Sequence, residues 1–188
     1  MPLPRPLSPS THLSFSASPL SSLTTGTFED TTIVSKSISN KFHRKRKYSN
    51  EETREVALPW FWENCKFDEF SLWRMDFKYN EELTMPFMSN NQIGGFFARL
   101  EGSRKYIFGA GAVFGQTNDS VIKGAFVVRG QEATPAFEVA PDMESYTFTK
   151  LDPNNPEDRE FVNDMWAWDK PVVVDGKTYE FADGKVMK

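Results

Sequence analysis

The chain has 188 residues, of which 39% are hydrophobic and 14% aromatic, and it carries a net charge of −4 at neutral pH. Both histidines lie among the first fifty residues, whereas all five tryptophans and the single cysteine come after them. Residues 51–188 therefore hold no imidazole, the side chain best suited to acid–base chemistry and metal binding near pH 7. One cysteine permits no internal disulfide, and no apolar run is long enough to cross a membrane. This composition favours a binding or scaffolding protein over an enzyme.

The charge is divided unevenly along the chain. Residues 1–50 hold seven Lys or Arg against two Asp or Glu, while residues 51–188 hold 15 against 24. Because nucleic-acid platforms present a basic face, the acidic body argues against a nucleic-acid-binding domain.

The N-terminal part differs in composition from the rest. Residues 1–40 are dominated by Ser, Thr, Pro and Leu, and we expect them to be disordered because they bury too little apolar surface to offset the entropy of ordering. Their serine content loosely fits an organellar transit sequence, but the repeated prolines argue against one.

A basic run, Lys41–Lys47, follows this leader. We favour a solvated basic linker there, with a nuclear address or an RNA-contacting arm as the alternative. The shift in composition predicts a leader and linker over residues 1–45 and a folded domain over residues 46–188.

The sequence of the first half of the domain predicts one strand with a helix before it and a helix after it. The spacing from Ser49 to Glu52 matches a capping box and predicts a helix start, and Pro59 interrupts that helix. Residues 71–79 alternate apolar and polar side chains, which indicates a half-buried strand. Ser89 repeats the capping spacing and predicts a second helix.

The sequence of the second half of the domain predicts two hairpins, with a further strand and a helix between them. The patterns predict a hairpin over residues 106–114 and 121–129 and a further strand over residues 145–150. They also predict a helix over Asn155–Trp168, with a capping residue and a first-turn proline. A compact hairpin over residues 172–181 turns at Asp175–Gly176. The predicted fold is α+β, with an antiparallel sheet of about five strands flanked by helices.

For most candidate catalytic or ligand-binding motifs in the domain, the residues around them in the sequence argue against such a site. The glycines of Gly109–Gly111 are followed by a strand, so no helix N-terminus would face a nucleotide, and we interpret them as small residues at a close helix–sheet contact. Cys65 lacks a histidine partner, which makes a buried small side chain a better interpretation than a nucleophile. The alternative to a binding module is a small-ligand-binding or enzymatic domain with an acidic cleft. Its candidate carboxylates are Asp142, Glu144, Asp152 and Glu157.

Two tryptophans are candidates for a protein-binding surface. Trp60 and Trp62 flank Phe61 directly after Pro59. Neighbouring residues point in different directions in any regular element, so at least one of the three is expected near the surface. An exposed tryptophan is a typical anchor of a protein interface, although burial in a core is the commoner fate of a large aromatic side chain.

Several segments resemble one known family. In order they are Lys47–Glu51, Ala57–Glu63, Ser71–Trp73, Glu81–Thr84, Phe87–Ser89, Val128–Glu132, Glu144–Tyr146 and Lys150–Pro153. Together they resemble the C-terminal domain of the gamma subunit of eukaryotic translation elongation factor 1, and the resemblance covers residues 46–188.

The resemblance implies an α+β domain and a role in translational elongation. The gamma subunit of that family is a scaffold in the complex that exchanges GDP for GTP on the tRNA-delivering GTPase, and other subunits catalyse the exchange. We therefore expect a cytoplasmic, non-catalytic interaction domain with no cofactor, metal or small-molecule substrate. Its expected partners are other subunits of that complex or other proteins of the translation machinery, with no membrane contact and only a weak case for RNA binding through Lys41–Lys47. Within the resembling segments, the residues that we expect to bind a partner are Trp60, Trp62, Arg129, Gln131 and Glu132.

One departure from the family accompanies this resemblance. Members usually begin with a glutathione-transferase-like domain and a Lys-rich linker, whereas here the Ser/Thr/Pro-rich leader takes that place. The chain is therefore interpreted as a shortened isoform, a fragment or a mis-started gene model that lacks the docking domain.

Overall fold

The structure is a computed structural model that describes residues 44–188. The disorder expected for residues 1–40 lies outside the described residues. Within them, the α+β fold predicted from the sequence is confirmed.

Five helices and seven strands make up the described part of the chain. The helices are α1 (residues 44–50), α2 (Leu58–Asn64, preceded by a π-helical turn, Thr53–Ala57), α3 (Pro86–Arg99), α4 (Thr134–Phe137) and α5 (Pro156–Ala167). The strands are β1 (Phe70–Phe77), β2 (Ile107–Gln116), β3 (Asp119–Arg129), β4 (Tyr146–Leu151), β5 (Val172–Val174), β6 (Lys177–Tyr179) and β7 (Phe181–Met187). Short 3₁₀ turns lie at Asn80–Glu82, Leu100–Ser103 and Pro141–Ser145.

A five-stranded antiparallel sheet organises the fold, in the order β4-β1-β3-β2-β7. Its centre is the predicted hairpin of β2 and β3, which pair from Ile107 opposite Val128 to Gln116 opposite Asp119. Strands β5 and β6 form the separate small hairpin that the sequence predicts. Asp175 and Gly176 both adopt positive φ in its turn, as a tight two-residue hairpin requires.

The sheet separates two hydrophobic cores. Strand side chains alternate between the faces, so Ile107 and Val113 of β2 face α3, whereas Phe108 and Phe114 face α2 and α5. We call these the α3-side core and the α5-side core. Gly111 faces α3 so closely that an added Cβ would lie 3.2 Å from Ile93 Cγ2. This agrees with our interpretation of Gly111 as a small residue at a helix–sheet contact, whereas Gly109 lies against Ala125 and Phe126 of the neighbouring strand.

Both predicted capping boxes are wrong. Ser49 lies near the end of α1, and its hydroxyl accepts a hydrogen bond from Lys188 rather than capping a helix. Helix α3 begins at Pro86, three residues before Ser89, and has no side-chain cap. A proline in the first turn was the better start signal, because its missing N–H has no partner there in any case. The predicted cap at Asn155 is correct, since its Oδ1 accepts from the Glu157 N–H.

Two strands differ from the sequence prediction. Strand β1 is covered on both faces rather than half-buried, because α2 and α5 pack on the face that carries Leu72 while α3 packs on the face that carries Met75. Strand β7 was not predicted, since Asp183 and Gly184 interrupt its apolar pattern. It forms because it pairs with β2, and Gly184 admits the Trp168 ring, which would lie 2.8 Å from a Cβ at that position.

The described end of the basic run does not behave as a solvated linker. Arg44 is 5% exposed, and its guanidinium lies 4.5 Å from the centre of the Phe70 ring and 5.7 Å from that of Phe61. Burial lowers the pKa of Arg44. Lys45 donates a hydrogen bond to the Arg104 carbonyl. The run therefore ends in a helix that packs on the domain.

Candidate protein-interaction surface

Helices α2 and α5 hold Trp62 at the surface in a fixed orientation. Its indole N–H donates to Asn163 Oδ1 at 2.8 Å, and the Arg159 guanidinium lies 4.5 Å from the centre of its ring. Its inner edge contacts Phe61 and Phe67, with ring centres 5.0 and 6.0 Å away. The side chain is therefore half-buried, with one end in the α5-side core and the other in contact with solvent.

A shallow hollow of about 350 Å³ surrounds Trp62. Its other lining residues are Arg54, Leu58, Pro59, Glu63, Arg159 and Asn163. We call this region the Trp62–Arg159 surface. It combines a flat aromatic ring with the Arg159 guanidinium, which suits a partner that offers acidic and apolar side chains.

Arg54 fixes one wall of this surface by a network of ion pairs. Its guanidinium bonds to Asp169 at 2.6 Å and to Asp164 at 2.7 Å, and lies 3.5 Å from Glu160. The hydrogen bonds that Arg54 donates to Asp169 and Asp164 raise the pKa of Arg54, and the same contact lowers the pKa of Asp169. Lys170 also pairs with Glu160 and Asp164. The network joins the π-helical turn before α2 to the C-terminal end of α5.

Trp60 differs from Trp62 although only one residue separates them. Residues two apart on a helix point to nearly opposite sides, and Trp60 is half-buried outside both hydrophobic cores. Among residues 44–188 the Trp60 indole N–H makes no hydrogen bond, whereas its backbone carbonyl accepts one from the Asn64 side chain. Trp60 therefore keeps its side chain available to a partner.

Arg129, Gln131 and Glu132 lie at the end of β3 and in the loop that follows. Together with Tyr106 and Pro135 they line a hollow of about 430 Å³. Gln131 has a structural role, because its side-chain amide donates to the carbonyls of Phe67 and Asp68 at 3.0 and 3.1 Å. Arg129 is half-buried and Glu132 is exposed.

The segment between α2 and β1 links the two groups of predicted residues. Phe67 contacts the Trp62 ring on one side, and its carbonyl accepts from Gln131 on the other. The structure thus places Trp62 and Gln131 on either side of this segment, while Trp60 points elsewhere on α2. The five predicted residues do not line a single hollow.

Arg159 and Asn163 are part of this surface and were not predicted. Their spacing of four residues puts them on one face of α5, and the sequence did predict that helix. What it lacked was the packing of α5 against α2, which pairs positions about a hundred residues apart.

Two of the four carboxylates proposed for an acidic cleft, Asp142 and Asp152, are engaged in local contacts. Asp142 pairs with Arg99, which lowers its pKa, and Asp152 accepts from the Asn154 N–H. The pKa of Asp76, under α5, is also lowered: burial alone would raise it, but hydrogen bonds from Arg74 and Lys123 outweigh that effect. A general acid needs a raised pKa, and among residues 44–188 every carboxyl with a resolved shift is lowered.

Cys65 is half-buried at the margin of the α5-side core. Burial raises the pKa of its thiol to about 11, so the thiolate needed for nucleophilic chemistry is scarce at neutral pH. Among the described residues, no group of three His, Cys, Asp or Glu side chains is placed to hold a metal ion. None of the helices between residues 44 and 188 is long and apolar enough to cross a membrane.

Comparison with known proteins identifies close relatives. Over 144 residues the chain is 62% identical to elongation factor 1-gamma 2 of Saccharomyces cerevisiae, a match that covers 77% of this chain and 35% of the relative. It is 57% identical over 145 residues to elongation factor 1-gamma of Schizosaccharomyces pombe, covering 77% and 34% of the two chains. It is 45% identical over 148 residues to the human elongation factor 1-gamma, covering 77% and 33%. The match thus spans about a third of the length of these relatives.

A family comparison agrees with these relatives. Residues 30–132 match the family described as elongation factor 1 gamma, conserved domain. The matched range includes β1, α3 and the central hairpin of the sheet, together with α2 and its two tryptophans. The chain therefore belongs to the elongation factor 1 gamma conserved-domain family.

Proposed function

We propose that this chain is a non-catalytic interaction module of the translation elongation factor 1 complex, and that it acts as a scaffold during translational elongation in the cytoplasm. Its proposed partners are other subunits of that complex or other proteins of the translation machinery. Family membership supports the role in elongation. The observation that supports an interaction surface is the clamping of Trp62 between Arg159 and Asn163, which holds a large ring at the surface in one orientation.

A fixed tryptophan suits protein binding for an energetic reason. Association costs conformational entropy for every side chain that it immobilises, and a ring already held by its own chain avoids that cost. Tryptophan and arginine are also the residues that most often dominate binding energy at interfaces. Trp60, on another side of α2, and Arg129 and Glu132, in a separate hollow, are further proposed contacts, and Gln131 also holds the segment after α2 in place.

Recovery of partners by the tagged full chain tests this proposal. The tag belongs at the N-terminus, because the Lys188 carbonyl accepts from Arg104 and the Lys188 ammonium contacts Ser49. We expect the exchange subunits to be recovered with the tagged chain. Trp60→Ala, Arg129→Ala and Arg159→Gln should each lower that recovery by about fivefold or more, as the loss of an interface anchor of about 1 kcal/mol or more does.

Phe87→Ala is the matched control for these variants. Phe87 is 59% exposed at the start of α3, on the opposite face of the sheet from α2. Its removal should leave recovery unchanged. If all four variants recover the subunits equally, the proposed surface is wrong, and if the unmodified chain recovers none of them, membership of the complex is wrong.

A thermal-shift screen addresses the alternative of a ligand-binding or enzymatic domain. We expect guanine nucleotides, divalent metals and glutathione to leave the melting temperature unchanged, because Asp164, Asp142 and Asp76 are each already paired with a cation of the same chain. A saturable rise with any of these compounds would favour the alternative.

A further inference from the structure

Strand β4 forms one edge of the five-stranded sheet. It pairs with β1 from Tyr146 opposite Phe77 to Leu151 opposite Leu72. The Lys78 N–H donates to the Ser145 carbonyl, which shows that odd-numbered residues of this segment bond toward β1. Since the direction of main-chain groups alternates along an antiparallel strand, Phe148 and Lys150 turn their N–H and C=O groups away from the sheet.

These outward groups have no hydrogen-bond partner among residues 44–188. The next outward N–H, that of Asp152, is capped by the Asp158 carboxylate at 2.8 Å, which ends the open edge. The side chains of Thr147 and Thr149 are exposed, and Phe148 is half-buried. Two residues of free main chain therefore lie at the surface, flanked by residues that favour extended structure.

The opposite edge of the sheet is protected in ways that β4 is not. Strand β7 carries Asp183 and Lys185, and its pairing with β2 has a bulge at Val113–Phe114. Charged side chains and bulges are devices that discourage edge-to-edge pairing. Strand β4 has one charged residue, Lys150, and its ammonium bonds to Gln131 and lies 6.0 Å from the Trp73 ring.

A hollow of about 450 Å³ opens beside this edge, on the face that carries Phe148. Its apolar walls are Trp73, Met143 and Phe148. A residue paired with Phe148 on an added strand would place its side chain on the same face of the sheet, next to this hollow. A residue paired with Lys150 would lie opposite a cation, where an acidic side chain is favoured.

We propose that the edge of β4 binds an extended segment of a partner protein as a sixth, antiparallel strand. The segment carries an acidic residue opposite Lys150 and, two positions later, an apolar residue opposite Phe148. Main-chain hydrogen bonds provide the attachment, and the hollow selects the apolar side chain, as in other cases of strand addition. This surface does not depend on the function proposed above.

A second copy of this chain fits the edge less well. Antiparallel self-pairing centred on Phe148 would set Glu144 opposite Asp152 twice, and like charges in facing positions are destabilising. A peptide segment brings no such pair. The partner segment is therefore favoured over self-pairing in the register centred on Phe148.

The test titrates a synthetic heptapeptide into the ¹⁵N-labelled full chain. The peptide alternates threonine with other residues and carries glutamate two positions before leucine. We expect saturable changes in the amide signals of Phe148 and Lys150, with their hydrogen exchange slowed by about tenfold or more. The same peptide with glutamate and leucine exchanged should bind more weakly.

N-methylation of the peptide separates main-chain from side-chain binding without altering the protein. Methyl groups on the amides of glutamate and leucine should abolish binding, because these amides face β4, whereas a methyl group on the residue between them should have little effect. On the protein, Lys150→Pro removes an outward N–H that β1 does not use, and should weaken binding by about tenfold or more. Lys150→Ala keeps the N–H and should weaken it by about fivefold or less.

Three results would overturn the proposal. They are the absence of saturable binding up to about 1 mM peptide, a response that maps away from β4, or indifference to the position of the methyl group. Protection of Phe148 and Lys150 that appears with rising protein concentration and no peptide would instead assign the edge to self-association.

Discussion

Replacement of Trp62 by alanine should destabilise the domain strongly, whereas replacement of Trp60 should not. Trp62 is half-buried, so truncation loses roughly half of the 3–5 kcal/mol measured for fully buried aromatics. The hydrogen bond to Asn163 adds about 1 kcal/mol and the Arg159 contact about 0.5–1 kcal/mol. We therefore expect a loss of about 3–4.5 kcal/mol, which for a domain of this size lowers the melting temperature by about 6–18 °C.

Urea unfolding and calorimetry of the full chain measure this difference. Trp60 contributes to neither hydrophobic core and makes its recorded polar contact through the backbone, so Trp60→Ala should cost less than about 1 kcal/mol. The slope of unfolding free energy against urea should be the same for both variants, because the folded domain is unchanged in size. Equal destabilisation by the two substitutions would refute the distinction between an anchored and an available tryptophan.

Three further predictions concern the interior. Asp76→Asn leaves the buried Lys123 without its counter-ion and should lower unfolding free energy at pH 7 by about 3 kcal/mol. Because the folded pKa of Asp76 is lowered, its contribution is present above the ordinary value near 3.8 and disappears as the pH falls below it, so wild-type and variant stabilities should converge in acid. Gly111→Val should destabilise by about 1–3 kcal/mol in thermal melts despite the β propensity of valine, since Ile93 and Phe97 occupy the space. Cys65 should react slowly with a thiol reagent at pH 7 and much faster in urea, because its folded pKa is about 11.

Local signals in the sequence predicted much of the fold. The β2–β3 hairpin, the Asn155 cap and the Asp175–Gly176 turn each depend on a few adjacent residues, and all three are present. The missed strand β7 depends on pairing with β2, which lies about seventy residues earlier in the chain. A pattern of neighbouring residues in the sequence cannot predict pairing with so distant a strand.

The candidate surface was less predictable for the same reason. Trp62 was singled out from its neighbours in sequence, but Arg159 and Asn163 reach it only because α5 packs beside α2. Gln131, which we expect to meet a partner, also donates to backbone carbonyls after α2, a role that the sequence does not reveal. The polarity of a side chain does not tell whether it binds a partner protein or forms hydrogen bonds between two loops of its own chain.

The division of the interior by the sheet makes the domain's stability adjustable without altering its surface. Residues such as Ile93 and Phe96 in the α3-side core share few neighbours with Val162 and Trp166 beneath α5. Substitutions in the two cores should therefore add in free energy within about 0.5 kcal/mol. Substitutions in the α3-side core can therefore change the free energy of unfolding, and with it the fraction of unfolded molecules, while α2, α5 and their surface side chains stay unchanged.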